Sequence, residues 1–136
     1  MQNKVTKRIE HGNAIIEEHY SDGSIKWHKN GRLHREDGPA LIEADGSQSW
    51  FKNGKLHRDN DPAEIEADGR HAWFKNGVLH REDGPAYEEF LTGFKEWYIN
   101  GKDISESQFN ALKLNKELEK TLPIKDENNK VKKIKI

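Results

Sequence analysis

The chain has 136 residues, 35% of them charged and 32% hydrophobic, with 23 basic and 24 acidic side chains and a net charge of −1. That balance removes the broad electrostatic case for nucleic acid or anionic lipid. The lack of cysteine excludes disulfides and thiolate metal sites, and no apolar run approaches the roughly 20 residues of a spanning helix. One domain with a thin, spread-out core is expected, and with no hydrophobic leader at its start the protein is expected to be cytoplasmic.

In chain order, Met1 to Arg8 reads as polar and loose at its start. Ala14 to Tyr20 reads as a degenerate strand covering an open edge, so 1–23 is taken as an N-terminal edge strand or cap. His11 stands 23 residues before His34, but nothing else around it matches, and the spacing is taken as coincidence. A repeat then begins. Tryptophans fall at 27, 50, 73 and 97, and the segments from Trp27 (WHKNGRLHREDGPALIEADGS), Trp50 (WFKNGKLHRDNDPAEIEADGR) and Trp73 (WFKNGVLHREDGPAYEEFLTG) are close copies. A fixed period of this length means stacked supersecondary units that cannot bury their apolar faces alone.

Each unit turns twice. Asn-Gly at 30–31, 53–54, 76–77 and 100–101 marks a type I′ hairpin tip, and Asp-Gly at 22–23, 45–46 and 68–69 marks a second turn. Equivalent stacking requires an even number of strands per unit, so Arg32 to Glu43 is read as one long strand bent at Asp37-Gly38-Pro39. Asp61 replaces glycine in the middle copy and is expected to keep the bend through its tolerance of left-handed φ.

These residues resemble MORN repeats, in the bacterial and viral variant whose units read Trp-x-x-Asn-Gly-x-x-His-Arg-x-x-Gly-Pro-Ala; the match spans roughly residues 20 to 101. The resemblance implies a binding platform, and such proteins include antitoxin components of toxin modules and proteins of phages and large viruses. The fold expected is mainly β: about four stacked antiparallel hairpins in an elongated twisted sheet over 24–101, capped by a C-terminal helix over 104–122, with a mobile tail over 123–136.

Pairing Ser49 with Ile42 and Phe51 with Leu56 puts Ala40, Ile42, Ser49, Phe51 and Leu56 on an apolar core face and Trp50 and His57 on the other. The candidate partner-binding residues are Trp27, Trp50, Trp73, Trp97, His57, His80, Arg58 and Arg81, because tryptophan dominates interface hot spots and stacks on flat ligands. Residues recurring in every unit are first of all stacking residues, which is the leading reading of the tryptophans. The histidines, which as neighbours offer a metal site or a pH-sensitive stack, read first as hydrogen-bonded within their units beside arginines that pair with Asp37, Asp59 or Asp83. No nucleophile–base pair, metal-ligand spacing or phosphate-cradling loop occurs, so neither a catalytic activity nor a cofactor is expected.

The stretch leading into the fourth unit departs from the pattern at Tyr87-Glu-Glu-Phe-Leu91 and carries one extra residue before Gly93. Ser105 with Gln108 is a capping box. The helix carries Phe109, Ala111, Leu112, Leu114, Leu118 and Leu122 and ends at Pro123. It serves either as an end cap or as a partner-binding or dimerising helix, so self-association through the helix or the array ends stays open. The partner expected is a protein; a small ligand on the tryptophans is the alternative, with no membrane or nucleic acid.

Overall fold

Asn30, Asn53, Asn76 and Asn100 take φ of 51, 50, 49 and 49°, and the glycines after them 78, 80, 83 and 79°. Two successive positive φ values define the type I′ turn, whose twist matches that of the strands it joins. The computed structural model describes residues 2–121 with Ile124–Lys125 and Val131–Lys132. The sequence before the repeat folds into β1 (Val5–Glu10) and β2 (Ile15–Tyr20), two strands where the N-terminal edge was expected to hold one, with β1 at the edge. Its Lys7 and Arg8 supply the charge that discourages further pairing at an edge.

Unit one contributes β3 (Ile25–Lys29), β4 (Arg32–Leu33) and β5 (Leu41–Ile42). Unit two contributes β6 (Gln48–Ser49), β7 (Phe51–Lys52), β8 (Lys55–Leu56) and β9 (Glu64–Ile65). Unit three contributes β10 (Arg70–Ala72), β11 (Phe74–Lys75), β12 (Val78–Leu79) and β13 (Tyr87–Glu89). Unit four adds β14 (Phe94–Ile99), β15 (Lys102–Ile104) and the helix α1 (Glu106–Thr121). One antiparallel sheet runs β1-β2-β3-β5-β6-β9-β10-β13-β14-β15, with β4 also paired to β3, giving eleven strands; β7–β8 and β11–β12 form separate tips.

The single bent strand expected over Arg32 to Glu43 is instead two short strands, β4 and β5, separated by a full excursion of the chain. Trp27 accepts from the His34 amide (3.0 Å) and donates to the Ala40 carbonyl (2.7 Å), with Arg35 to Pro39 looped out between them. Trp50 clasps His57 and Ala63 in the same way (3.0 and 2.7 Å), and Trp73 clasps His80 and Ala86 (3.0 and 2.8 Å). The glycine in the loop is needed for space and not for φ. A Cβ at Gly38 would lie 2.8 Å from Arg35 Cζ and one at Gly84 2.8 Å from Arg81 Cζ, while neither glycine has positive φ. In the middle copy the left-handed residue is Asn60 (φ 67°) and not Asp61; this different backbone path is how a side chain at position 61 is accommodated.

The pairing across Asp-Gly differs from expectation by one residue. Leu41 faces Ser49 and Ile42 faces Gln48, because Glu43 donates to Ser47 across a three-residue Ala44-Asp45-Gly46 loop with Gly46 at φ 91°. Such a loop adds a G1-type bulge, which shifts register by one. A one-residue slip exchanges faces. Trp50 therefore lies opposite Ala40 and Ala63 and shares their side, where the sequence reading had separated them. Ala40, Ala63 and Ala86 are fully buried between successive indoles, and Ala72 and Trp73 complete the buried apolar residues of the array. The hairpin pairing of Phe51 with Leu56 is as expected, but both are only half-buried.

The capping box at α1 is complete: Ser105 Oγ accepts from the Gln108 amide (3.1 Å) and Gln108 Oε1 from the Ser105 amide (2.9 Å). Phe109 is the one buried side chain of α1 among the described residues. Leu122 and Pro123 lie outside the described residues. Within the stretch read as a tail, β16 (Ile124–Lys125) pairs with β17 (Val131–Lys132).

Candidate partner-binding surface

The arginine of each loop lies flat on its own unit's tryptophan. Arg35 is 4.0 Å from the Trp27 ring centroid, Arg58 3.9 Å from Trp50, and Arg81 3.8 Å from Trp73. Each also donates through Nη1 to the proline carbonyl four residues on, at 3.2, 3.1 and 3.0 Å. Cation–π attraction and a charge-assisted hydrogen bond thus close the loop over the indole. Arg35 and Arg81 pair with Asp37 (3.1 Å) and Asp83 (2.8 Å) as expected; Arg58 pairs with Asp61 (3.6 Å), leaving Asp59 to His57 (3.2 Å).

The histidines join units. Nδ1 of His34, His57 and His80 accepts the amide N–H of Asn53, Asn76 and Asn100 in the next unit, at 3.0, 3.0 and 2.8 Å. A ring accepting at Nδ1 carries its proton on Nε2. That nitrogen faces Glu36 at 2.8 Å and Asp59 at 3.2 Å in the first two loops. The sequence reading had kept each histidine within its unit; the inter-unit half was missed because spacing along one copy does not reveal what the next copy's turn needs.

Of the eight candidate residues, Arg58, Trp73, His80 and Arg81 line one cleft of about 310 Å³ between the second and third loops, together with Lys75 and Asp83. Trp73 is only 8% exposed, and its Nε1 has no hydrogen-bond partner among the described residues. Trp27 and Trp50 lie in the neighbouring units, and Trp97 lies on β14, which α1 touches. His11 also belongs to this row. Its ring stacks on Trp27 at 4.3 Å and 16°, and its Nε2 meets Glu17 at 2.7 Å, with His19 also on Glu17 at 2.6 Å. Burial works to raise the Glu17 carboxyl, but the two histidine hydrogen bonds outweigh it and hold it below the ordinary range. Among the described residues no group of three or more His, Cys, Asp or Glu is placed to hold a metal.

Glu64 is the opposite case. It stands between Ser49 and Ala72, where neighbouring copies carry Leu41 and Tyr87. Burial raises its carboxyl above the ordinary range, the charges of Glu66 and Glu43 add to this, and Arg70 only partly opposes them.

The fourth unit presents what the others do not. Its extra residue lengthens the turn, so that the Gly93 amide reaches back to Glu89 (2.8 Å), four residues away, where Gly23, Gly46 and Gly69 each reach three (3.0 Å). Phe90, Leu91 and Phe94 stand on this turn 61%, 86% and 49% exposed. The Phe90 ring sits edge-on to His71 at 4.6 Å, and its amide donates to Gly69 (3.2 Å). Phe94 meets Tyr87 at 6.2 Å. His71 and Tyr87 lie on opposite faces of the sheet, since Tyr87 is opposite Ala72. The three side chains therefore form a wedge with Leu91 at its tip. Along α1, Ala111, Leu114 and Leu118 are also exposed, on the side away from buried Phe109 and from Lys116, which binds Glu82 at 2.9 Å. No known protein family, curated protein or solved structure matches the chain.

Proposed function

We propose that the chain is a non-enzymatic, cytoplasmic protein-binding module of MORN-like repeats that neutralises or scaffolds a partner protein, in the manner of an antitoxin, an immunity protein or a phage-encoded inhibitor. The observation that carries this is the wedge of Phe90, Leu91 and Phe94. Large apolar side chains on an ordered turn, absent from the equivalent turns at Ala44-Asp45 and Ala67-Asp68, are left about half or more in water by the contacts they make with His71 and Tyr87, and a partner that covered them would remove that exposure. The wedge offers on the order of 300 Å², well short of the ~800 Å² per partner of a stable interface. The remainder is supplied by the neighbouring rim and the outer face of α1. A flat-ring ligand on the tryptophans is less well supported, because arginines already occupy a face of Trp27, Trp50 and Trp73.

The test is affinity capture from the native host's lysate, comparing the parent chain with a folded Phe90→Ser, Leu91→Ser variant. A stoichiometric protein held by the parent and lost by the variant is expected. Specific turnover of a substrate by the purified chain, or capture of only a nucleotide-like small molecule, would overturn the reading.

A further inference from the structure

Asn-Gly is the dipeptide most prone to spontaneous deamidation, since glycine leaves its amide nitrogen unhindered. Four such pairs stand at equivalent turns, and three share the context Lys-Asn-Gly, so intrinsic reactivity is nearly matched. Their surroundings are not. At the second, third and fourth tips the nucleophilic glycine amide is held by the preceding unit: Gly54 to the Leu33 carbonyl, Gly77 to Leu56 and Gly101 to Leu79, each at 2.8 Å. The asparagine amide of each is held by a histidine Nδ1 at 2.8 to 3.0 Å. These glycines also pack on Arg32, Lys55 and Val78 of the preceding unit, with a built Cβ meeting side-chain carbon at 3.5, 3.7 and 3.3 Å.

The first tip has none of this. Neither the Asn30 nor the Gly31 amide has a hydrogen-bond partner among the described residues, and a Cβ at Gly31 would meet nothing within 4 Å. The cause lies in the degenerate first segment. His11 occupies the position of the inter-unit histidine, but it is turned onto Trp27 and Glu17, in a loop whose Gly12, Asn13 and Ala14 all have positive φ.

We propose that Asn30 is a deamidation site gated by the fold, and that the array protects its other three Asn-Gly pairs through inter-unit hydrogen bonds. The Gly31 amide nitrogen, on losing its proton, attacks Asn30 Cγ. The new N–Cγ bond closes a succinimide as the Cγ–Nδ2 bond breaks, and the departing nitrogen takes up protons to leave as ammonia. Water then opens the ring at either carbonyl to give aspartate or isoaspartate. One water enters, one ammonia leaves, and nothing is oxidised or reduced. Reaching the attack geometry requires the turn to open, and at the inner tips that opening must also break two inter-unit bonds.

The test is to incubate the folded full chain at mildly alkaline pH and follow each Asn-Gly pair by peptide mass mapping, with a parallel sample in denaturant. In the folded chain Asn30 should convert on the order of tenfold faster than Asn53, Asn76 or Asn100, and in denaturant the four rates should converge. A His34→Ala chain should speed Asn53 while leaving Asn76 unchanged. Equal rates in the folded chain, or an Asn30 excess that persists in denaturant, would overturn the proposal.

Discussion

In units one to three the residue eight positions after the tryptophan is an arginine lying on the indole; in unit four it is Ser105, and there the helix begins. The first three units use their polar groups on one another. Their arginines and loop proline carbonyls are paired within the unit, and the turn amides of the second and third are held by the unit before, so little beyond the exposed loop carboxylates and the open first turn is left over for a ligand. The fourth has no following unit to satisfy. It replaces the loop by a capped helix that buries only Phe109, and it carries its apolar surplus outward on the turn at Phe90 and Leu91 and on the far side of α1. Stacking contacts and exposed apolar surface are thus divided between units rather than combined in each.

The strongest way to break this division is to disturb a stacking loop. Gly84→Ala places a Cβ against the Arg81 guanidinium and lifts it from Trp73 and the Pro85 carbonyl. Thermal unfolding should show a loss of about 2 kcal/mol, bounded by what the displaced guanidinium contributed, since the Cβ meets only the end of a flexible side chain. Arg58→Ala removes one cation–π contact and one hydrogen bond and should cost roughly 2 kcal/mol in urea titrations. Arg58→Lys should restore less than half, because an ammonium cannot lie flat on the ring while reaching Pro62. His57→Ala should cost about 1 kcal/mol, and hydrogen exchange should locate that loss at the Asn76 amide.

Glu64 sharpens the comparison by sign. Its carboxyl is raised in the folded state, so folding favours the neutral form. The penalty is absent below the ordinary carboxylate range, appears as pH rises through it, and is complete above the raised value. Glu64→Leu, which matches Leu41 in the first copy, should therefore gain about 1 kcal/mol at neutral pH after allowance for solvent screening. That charge-derived gain should vanish in mild acid; equal gains at both pH values would assign it to packing alone. The smallest effect belongs to the wedge: Phe90→Ser with Leu91→Ser should leave unfolding within about 0.5 kcal/mol of the parent.

Much of the fold was legible because turns are written in single dipeptides. Asn-Gly located every tip, and Ser105 with Gln108 located the helix start. The face assignment failed at the Asp-Gly turn, and Phe51 and Leu56, expected in the core, are only half-buried. Asp45-Gly46 was read as a two-residue turn, but Gly46 closes a three-residue loop, and one residue of slip moved every indole to the other side. The arginine–tryptophan stack was not legible, because it joins residues eight apart across a loop whose path no propensity describes. Asp61 misled for a related reason: glycine at that place serves the volume of a neighbouring guanidinium, and backbone angle was the wrong property to ask about. The arginines and histidines recur at visible positions, but the groups they bond lie in the loop carbonyl and the neighbouring turn, which a single copy does not display.

Because both ends of each loop are fastened to the backbone of one tryptophan, what lies between the fastenings is uncoupled from the frame that carries it. The second unit already makes the experiment: Asp59-Asn60-Asp61 takes another path from Glu36-Asp37-Gly38, yet the strands on either side keep the same pairing offset. Such a chain can rewrite its rim one cassette at a time while its ladder is copied unchanged, much as text can be altered between fixed punctuation.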